Sequence, residues 1–150
     1  MTQPQPSFNP NPSKPKLRLP QGACDTHFHV FGPPQRFPYA AERAYTPHEA
    51  PKETLFQLHA HLGIQRGVVV QSAAHGYDNS ASADLIAARP ADYRGIALVR
   101  TDIAPGELQK LNGQGFRGAR FNYMTHLGAG SPIEEVLRLA GRLEIGRAHV

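Results

Sequence analysis

The sequence predicts an α/β fold in which parallel strands alternate with helices, laid out as the N-terminal half of a (β/α)8 TIM barrel behind a disordered Pro-rich arm. Three observations predict it. Strand-like apolar runs and helix-spaced apolar runs alternate in four successive pairs between Gly22 and Leu143, the pattern of parallel strands joined by right-handed crossovers. No strand runs into a G-x-G-x-x-G or Walker A loop, which argues against the doubly wound sheets that bind nucleotides. Two histidines, His27 and His29, close the first strand-like run, at the strand end where parallel barrels keep their chemistry.

Taken in order, residues 1–20 hold six prolines (Pro4, Pro6, Pro10, Pro12, Pro15, Pro20) and few large apolar side chains. Such a segment buries too little to offset its ordering entropy and is expected to be a disordered or extended arm. Ala23 to Phe31 reads as a short strand stopped by Gly32-Pro33-Pro34. After a loop rich in proline and aromatics, Lys52 to Leu62 places Leu55, Leu58 and Leu62 at helical spacing before Gly63 ends the helix. Arg66 to Gln71 is the second strand, and Asn79 to Ala88 the second helix, with Asn79 or Ser80 as N-cap and Pro90 as its stop. Arg94 to Val99 follows as a strand, Pro105 to Leu111 as a helix, and Phe116 to Tyr123 as the fourth strand. Pro132 to Leu143 is the last helix, with Pro132 at its first helical position and Ile133, Val136, Leu137 and Ala140 on one face.

Composition narrows the function classes. The net charge is +4, with Lys14, Lys16 and Arg18 in the arm and the remaining basic residues dispersed among acidic ones. No basic stripe with interleaved aromatics exists, so nucleic-acid binding is not expected. No run of about 18 apolar residues is present to make a membrane helix. The first residues lack the apolar core of a secretory signal, and a lone Cys24 builds no disulfide framework, so the expected compartment is the cytoplasm.

Asp25, His27 and His29 form D-T-H-F-H. At positions i, i+2 and i+4 of a regular strand all three share one face. Two imidazoles converging there can ligate a metal, or donate hydrogen bonds to a carbonyl oxygen that gains charge during attack. Asp25, deeper on that face, can orient an imidazole. Cys24 is one position out of phase and is expected to pack behind the sheet. Ser72 ends the second strand, where it can bond a substrate oxygen, and His75 on the following loop either faces the site or packs that loop. His48, His59 and His61 fall in a loop or on a helix away from strand ends, where a structural role is expected.

The segments G-A-C-D-T-H-F-H-V-F-G-P (22–33), V-V-V-Q-S (68–72), H-G-Y-D-N (75–79) and F-R-G-A-R-F-N (116–122) together resemble the amidohydrolase superfamily, in particular its lactonase-like "amidohydrolase 2" branch. The resemblance implies a (β/α)8 barrel that hydrolyses a carbon–oxygen or carbon–nitrogen bond, here a small carboxylated lactone such as a pyrone dicarboxylate or a sugar-acid lactone. By motif, His27 and His29 take the role of polarising the lactone carbonyl, with no metal required. Metal-dependent members use the same pair as ligands for a divalent ion such as zinc or manganese, and that alternative (an amidohydrolase or decarboxylase) stays open. Arg120 matches an arginine that grips a substrate carboxylate, for which a planar guanidinium is suited. Tyr45 matches a substrate-contacting tyrosine. His126 is a departure: lactonase-like relatives place a second carboxylate-binding arginine there, so histidine weakens the expectation of a dicarboxylate. The match of Ser72 is weak, because the family serine falls one position later, on Ala73.

A complete barrel of this kind takes about 250 residues, whereas four βα units are present. The water-activating aspartate and a later histidine that the resemblance implies belong to the other half, so an inactive fragment is expected. Glu144 to Val150 is expected to be non-biological, since GAG ATC GGA AGA GCA CAC GTC, a sequencing-library adapter, encodes those residues in order; His149 is therefore assigned no role. The competing class is a non-enzymatic interaction module working through the Pro-rich arm, which would tolerate loss of His27 and His29.

Overall fold

The computed structural model describes residues 8–123 and 130–143. His126 and the segment 144–150 lie outside the described residues. Among the described residues four strands, β1 (Cys24–Phe28), β2 (Arg66–Val70), β3 (Tyr93–Leu98) and β4 (Phe116–Arg120), alternate with four helices, α1 (Lys52–Leu62), α2 (Ser80–Ala88), α3 (Pro105–Gly113) and α4 (Ile133–Ala140). The strands pair in the order β1-β2-β3-β4, every pair parallel. This is the predicted βα series, with boundaries that differ mainly at strand ends. β1 stops at Phe28 because Phe31 leaves the sheet and bridges Ala50 in antiparallel fashion.

The two faces of the sheet differ. Phe28, Val69, Tyr93, Ala97 and Phe116 point outward and are buried with Leu85 and Ile86 of α2 in one core, against which Leu55 and Phe56 of α1 pack. Val68, Ile96 and Arg120 are only half-buried, on the inner face; Arg120 reaches it because the β3–β4 register shifts after Gly95↔Phe116, so that it pairs with Leu98. Packing on the outer face depends on a glycine: a Cβ on Gly67 would lie 2.6 Å from Phe28 Cε1 and 2.8 Å from Tyr93 Cε1.

Several local readings change. Asn79 is the residue before α2, yet its side chain makes no capping bond. Its Oδ1 accepts from Leu98 N and its Nδ2 donates to Leu98 O, both at 3.0 Å, so it clamps the end of β3. Asp78 Oδ1 takes the Ser80 N–H at 3.0 Å instead. A short 3-10 turn, Ala73–His75, follows β2 and was not legible in the pattern. On α4 the buried side chain is Leu139, while Ile133 and Leu137 of the predicted apolar face are 52% and 64% exposed. Pro132 stands just before that helix rather than inside it. Residues 8–20 carry no helix or strand, and Ser13 O bonds His61 Nε2 at 3.2 Å, which lays the arm along α1. Among the described residues no helix is long and apolar enough to cross a membrane.

Candidate active site

Site geometry begins with an irregularity in β1. Its register runs Cys24↔Arg66, Asp25↔Gly67, then Phe28↔Val69, so Thr26 and His27 together oppose the single residue Val68. Two residues against one is a β-bulge, and a bulge reverses the face on which later side chains fall. The expectation that Asp25, His27 and His29 share one face is therefore corrected. Asp25 lies on the outer side, where its Oδ2 faces His59 Nε2 of α1 at 3.4 Å. Its Oδ1 accepts the backbone N–H of His27 at 3.1 Å. Asp25 does meet an imidazole, but it is that of His59. Cys24 is likewise not packed behind the sheet; it is exposed.

His27 and His29 stay together, with ring centroids 5.3 Å apart in an edge-to-face arrangement. His27 is exposed and His29 half-buried. His29 Nδ1 lies 2.7 Å from Val70 O. A carbonyl only accepts, so the ring carries its proton on Nδ1 and turns the lone pair of Nε2 outward. Burial holds the His29 imidazole below its ordinary value, and the positive charge of Arg120 and the neighbouring His27 push the same way, against the Val70 hydrogen bond. The neutral form is thus favoured, and in that form Nε2 accepts a proton or binds a metal but does not donate.

Arg120 reaches the same point from the other side. Its Nη1 donates to Gln71 O at 3.1 Å and its Nε to Asn122 Oδ1 at 2.8 Å. The remaining N–H groups of this five-donor fork have no partner among the described hydrogen bonds. The carbonyls at the end of β2 and one residue beyond it therefore hold both groups: Val70 O fixes His29, and Gln71 O fixes Arg120. Gln71 itself is locked, its Oε1 accepting from Ser82 Oγ at 2.8 Å and its Nε2 donating to Asp78 O at 2.8 Å.

The other candidates separate. Ser72 is buried, and its hydroxyl accepts from Ala74 N at 3.2 Å, capping the 3-10 turn. His75 is buried with both ring nitrogens committed, Nδ1 to Pro38 O at 3.0 Å and Nε2 to Gly32 N at 3.4 Å. The substrate-contact reading of His75 is therefore corrected: the ring braces the β1–α1 loop and has no nitrogen left for a ligand. Tyr45 is 50% exposed on that loop, with no contact to the groups at the end of β2 in the described interactions. A cavity of about 440 Å³ opens beside the site, lined among others by Arg43, Tyr77, Phe121 and Asn122. Its link to the site is Asn122, whose carbonyl oxygen holds Arg120.

His59 is the residue that sequence reasoning set aside. It is 2% exposed, and its Nδ1 meets Tyr93 Oη at 2.9 Å. The signal was present: Leu55, His59 and Leu62 fall on one stripe of α1, at i, i+4 and i+7. For a divalent metal, His27 and His29 supply two nitrogens, but no group of three or more His, Cys, Asp or Glu comes together among the described residues. They do not complete a site of the three or four protein ligands that such ions take.

Comparison with known proteins identifies the lineage. A family model described as amidohydrolase matches residues 24–146. The chain is 47% identical over 133 residues to the 2-pyrone-4,6-dicarboxylate hydrolase of Comamonas testosteroni, covering 89% of this chain and 44% of that protein. It is 42% identical over 113 residues to the 4-sulfomuconolactone hydrolase of Rhizobium radiobacter, covering 75% and 38%. An Acinetobacter baumannii crystal structure, assigned as a 2-pyrone-4,6-dicarboxylic acid hydrolase and holding citric acid, superimposes with a TM-score of 0.73 at 26% identity, over 83% of this chain and 46% of that one. The chain thus spans less than half the length of the relatives it matches. With four parallel βα units matching part of a TIM barrel, and a family model covering 24–146, the chain belongs to the amidohydrolase family.

Proposed function

We propose that this chain forms the first half of the active site of a lactone hydrolase whose substrate carries a carboxylate or comparable anion. In the reaction, water adds to the lactone carbonyl carbon and the ring acyl–oxygen bond breaks, leaving a carboxylate and a hydroxyl. The observation that carries the reading is Arg120, pre-set by Asn122 and Gln71 O and lying close enough to His29 to depress its basicity. An arginine held in this way offers parallel N–H groups to an anion without reorganising. The relatives add support, since two are named for lactones bearing carboxylate or sulfonate groups, and one related structure holds citric acid, a tricarboxylate.

The imidazoles divide the work. His27, exposed at the bulge, donates to the carbonyl oxygen, whereas His29 keeps its N–H on Val70 and presents a lone pair. That assignment differs from one in which both rings polarise the carbonyl. The water-activating aspartate, implied by resemblance, is not among the described residues. The ring opened is a pyrone dicarboxylate or a sugar-acid lactone, with Arg120 binding one carboxylate.

The test is hydrolysis of 2-pyrone-4,6-dicarboxylate and of sugar-acid lactones by the protein that contains this chain, with and without chelator. Chelator-resistant turnover is expected, with Arg120→Lys raising KM about tenfold or more as the two-pronged contact is lost. No turnover of any anionic lactone overturns the proposal. The outward lone pair of His29 favours a second reading, in which His27 and His29 are metal ligands. Turnover abolished by chelator and restored by zinc or manganese would select it.

A further inference from the structure

We infer that Asp25, held from beneath by His59 and Tyr93, is the positioning residue that creates the β1 bulge and so aims the His27–His29 pair. The inference rests on the proposed role of that pair for its catalytic meaning, but the geometry behind it is independent of any substrate. In a regular parallel pair, alternate amides of a strand donate to carbonyls of the neighbouring strand. A bulge breaks the ladder and leaves an N–H to be satisfied elsewhere. Here the break falls between Asp25 and Phe28, with the His27 amide inside it. Asp25 Oδ1 accepts it at 3.1 Å.

The second carboxylate oxygen is also occupied. Asp25 Oδ2 faces His59 Nε2 at 3.4 Å, and His59 Nδ1 lies 2.9 Å from the Tyr93 hydroxyl. Burial favours the neutral His59 ring, and for that ring the donors and acceptors fit in one order. A carboxylate accepts, so His59 carries its proton on Nε2, and Nδ1 accepts from the Tyr93 O–H. His59 and Tyr93 are 2% and 1% exposed, so the relay is anchored in the core. Phe28 closes it, its ring meeting His59 and Tyr93 edge to face at centroid distances of 5.1 and 6.1 Å.

The consequence for the site is directional. With Asp25 drawn outward to His59 and Phe28 outward over Gly67, the two residues between them must take up the extra length. That leaves His27 beside His29, and His29 within reach of Val70 O on the inner side. A regular strand with Asp25 outward would turn both imidazoles outward with it. Among the described interactions neither His59 nor Tyr93 meets His27 or His29, so they act on the pair through Asp25 and through Phe28.

The experiment is solution NMR on the full 150-residue chain. In the wild type, a scalar coupling across the hydrogen bond from His27 N to the Asp25 carboxyl carbon is expected, with the His59 ring protonated on Nε2. Absence of that coupling, or a His59 proton on Nδ1, overturns the inference without any variant. His59→Phe keeps the aromatic volume and removes both polar contacts. It is expected to remain folded, to speed hydrogen exchange at the His27 amide by about tenfold, as for loss of one charge-assisted hydrogen bond, and to abolish the His27–His29 ring contact seen by NOE. Asp25→Ala, which removes both acceptor oxygens, is expected to do the same while amides of β3 and β4 keep their protection. If either variant is folded yet keeps wild-type His27 exchange and the His27–His29 contact, the relay is only core filling. These readouts involve no substrate, so a failed lactone assay refutes the proposed reaction and leaves this result standing.

Discussion

Replacing Gly67 by alanine tests whether aromatic seating on the outer face shapes β1. Gly67 is the register partner of Asp25, and a Cβ there would lie 2.6 Å from Phe28 Cε1 and 2.8 Å from Tyr93 Cε1. Carbon atoms pack at about 3.5–4.0 Å, so each ring must withdraw by roughly 1 Å. Neither has room, with Phe28 at 8% and Tyr93 at 1% exposure. Overpacking costs about 1–3 kcal/mol, and displacing two buried rings places this substitution in the upper half, about 2–3 kcal/mol. Alanine also restricts the unfolded chain, which returns about 0.4–1 kcal/mol. A net loss of about 1–2.6 kcal/mol remains. Urea denaturation measures it: with a slope of about 1–3 kcal/mol per molar, the midpoint falls by about 1 M. Gly106→Ala in α3 is the control, since nothing lies within 4 Å of its added Cβ. That variant is expected to hold its midpoint or gain by up to about 1 kcal/mol. Equal midpoints for the two variants would refute the seating argument.

Asn79→Ala removes both bonds to Leu98 and leaves the end of β3 unpaired, for an expected loss of about 1–3 kcal/mol. Asp78→Ala removes only the Ser80 contact and should cost about 1 kcal/mol, so the reverse ranking in urea midpoints would show that Asn79 is an ordinary cap. Stability should also fall on acidification. Burial holds the His29 and His59 imidazoles below the ordinary value of 6.5, with Asp25 opposing the shift at His59. Below that pH the unfolded chain takes up protons that the folded one refuses, so stability declines until the folded rings protonate in turn. A urea midpoint unchanged between about pH 7.5 and pH 5.5 contradicts this.

The βα alternation was legible because its cues are local: apolar runs, proline stops and glycines after helices each act within a few residues. Gly63 illustrates this, adopting φ 77° and donating its N–H to the His59 and Ala60 carbonyls to end α1. The candidate site was legible in the types of residue it brings together and less so in their directions. His27, His29 and Arg120 are singled out as candidates by motif and position, but the period-2 rule assumes an unbroken ladder and puts Asp25 on their face. The bulge arises from contacts with residues far along the chain, His59 on α1 and Gly67 on β2, and no window around Asp25 contains them. Of the two readings open for His75, the loop-packing one holds, for a related reason. Its place after β2 faces the site in outline, yet Pro38 and Gly32, from a loop about 40 residues earlier, claim both its nitrogens. On α4, helical periodicity gave an apolar stripe, but Leu139, outside that stripe, is what the core takes.

The placement of His29 and Arg120 carries a further argument about how binding and chemistry are coupled. Both are fixed by successive main-chain carbonyls, Val70 O at the end of β2 and Gln71 O just beyond it, so their separation is set by that stretch of backbone. Arg120 contributes to the depressed basicity of His29, after burial, through its positive charge. An anion docked on Arg120 would offset that charge, and His29 would become a better proton acceptor at the moment substrate is bound. Citrate, the anion held by the related Acinetobacter baumannii structure, is a convenient probe. The His29 ring, followed by NMR, should titrate at higher pH in saturating citrate than without it, and Arg120→Gln should remove the difference. Because burial is the larger cause, the titration should not return fully to the ordinary imidazole value. A His29 titration that ignores citrate, in a protein shown by the same spectra to bind it at Arg120, would mean that the anion grip and the imidazole work independently.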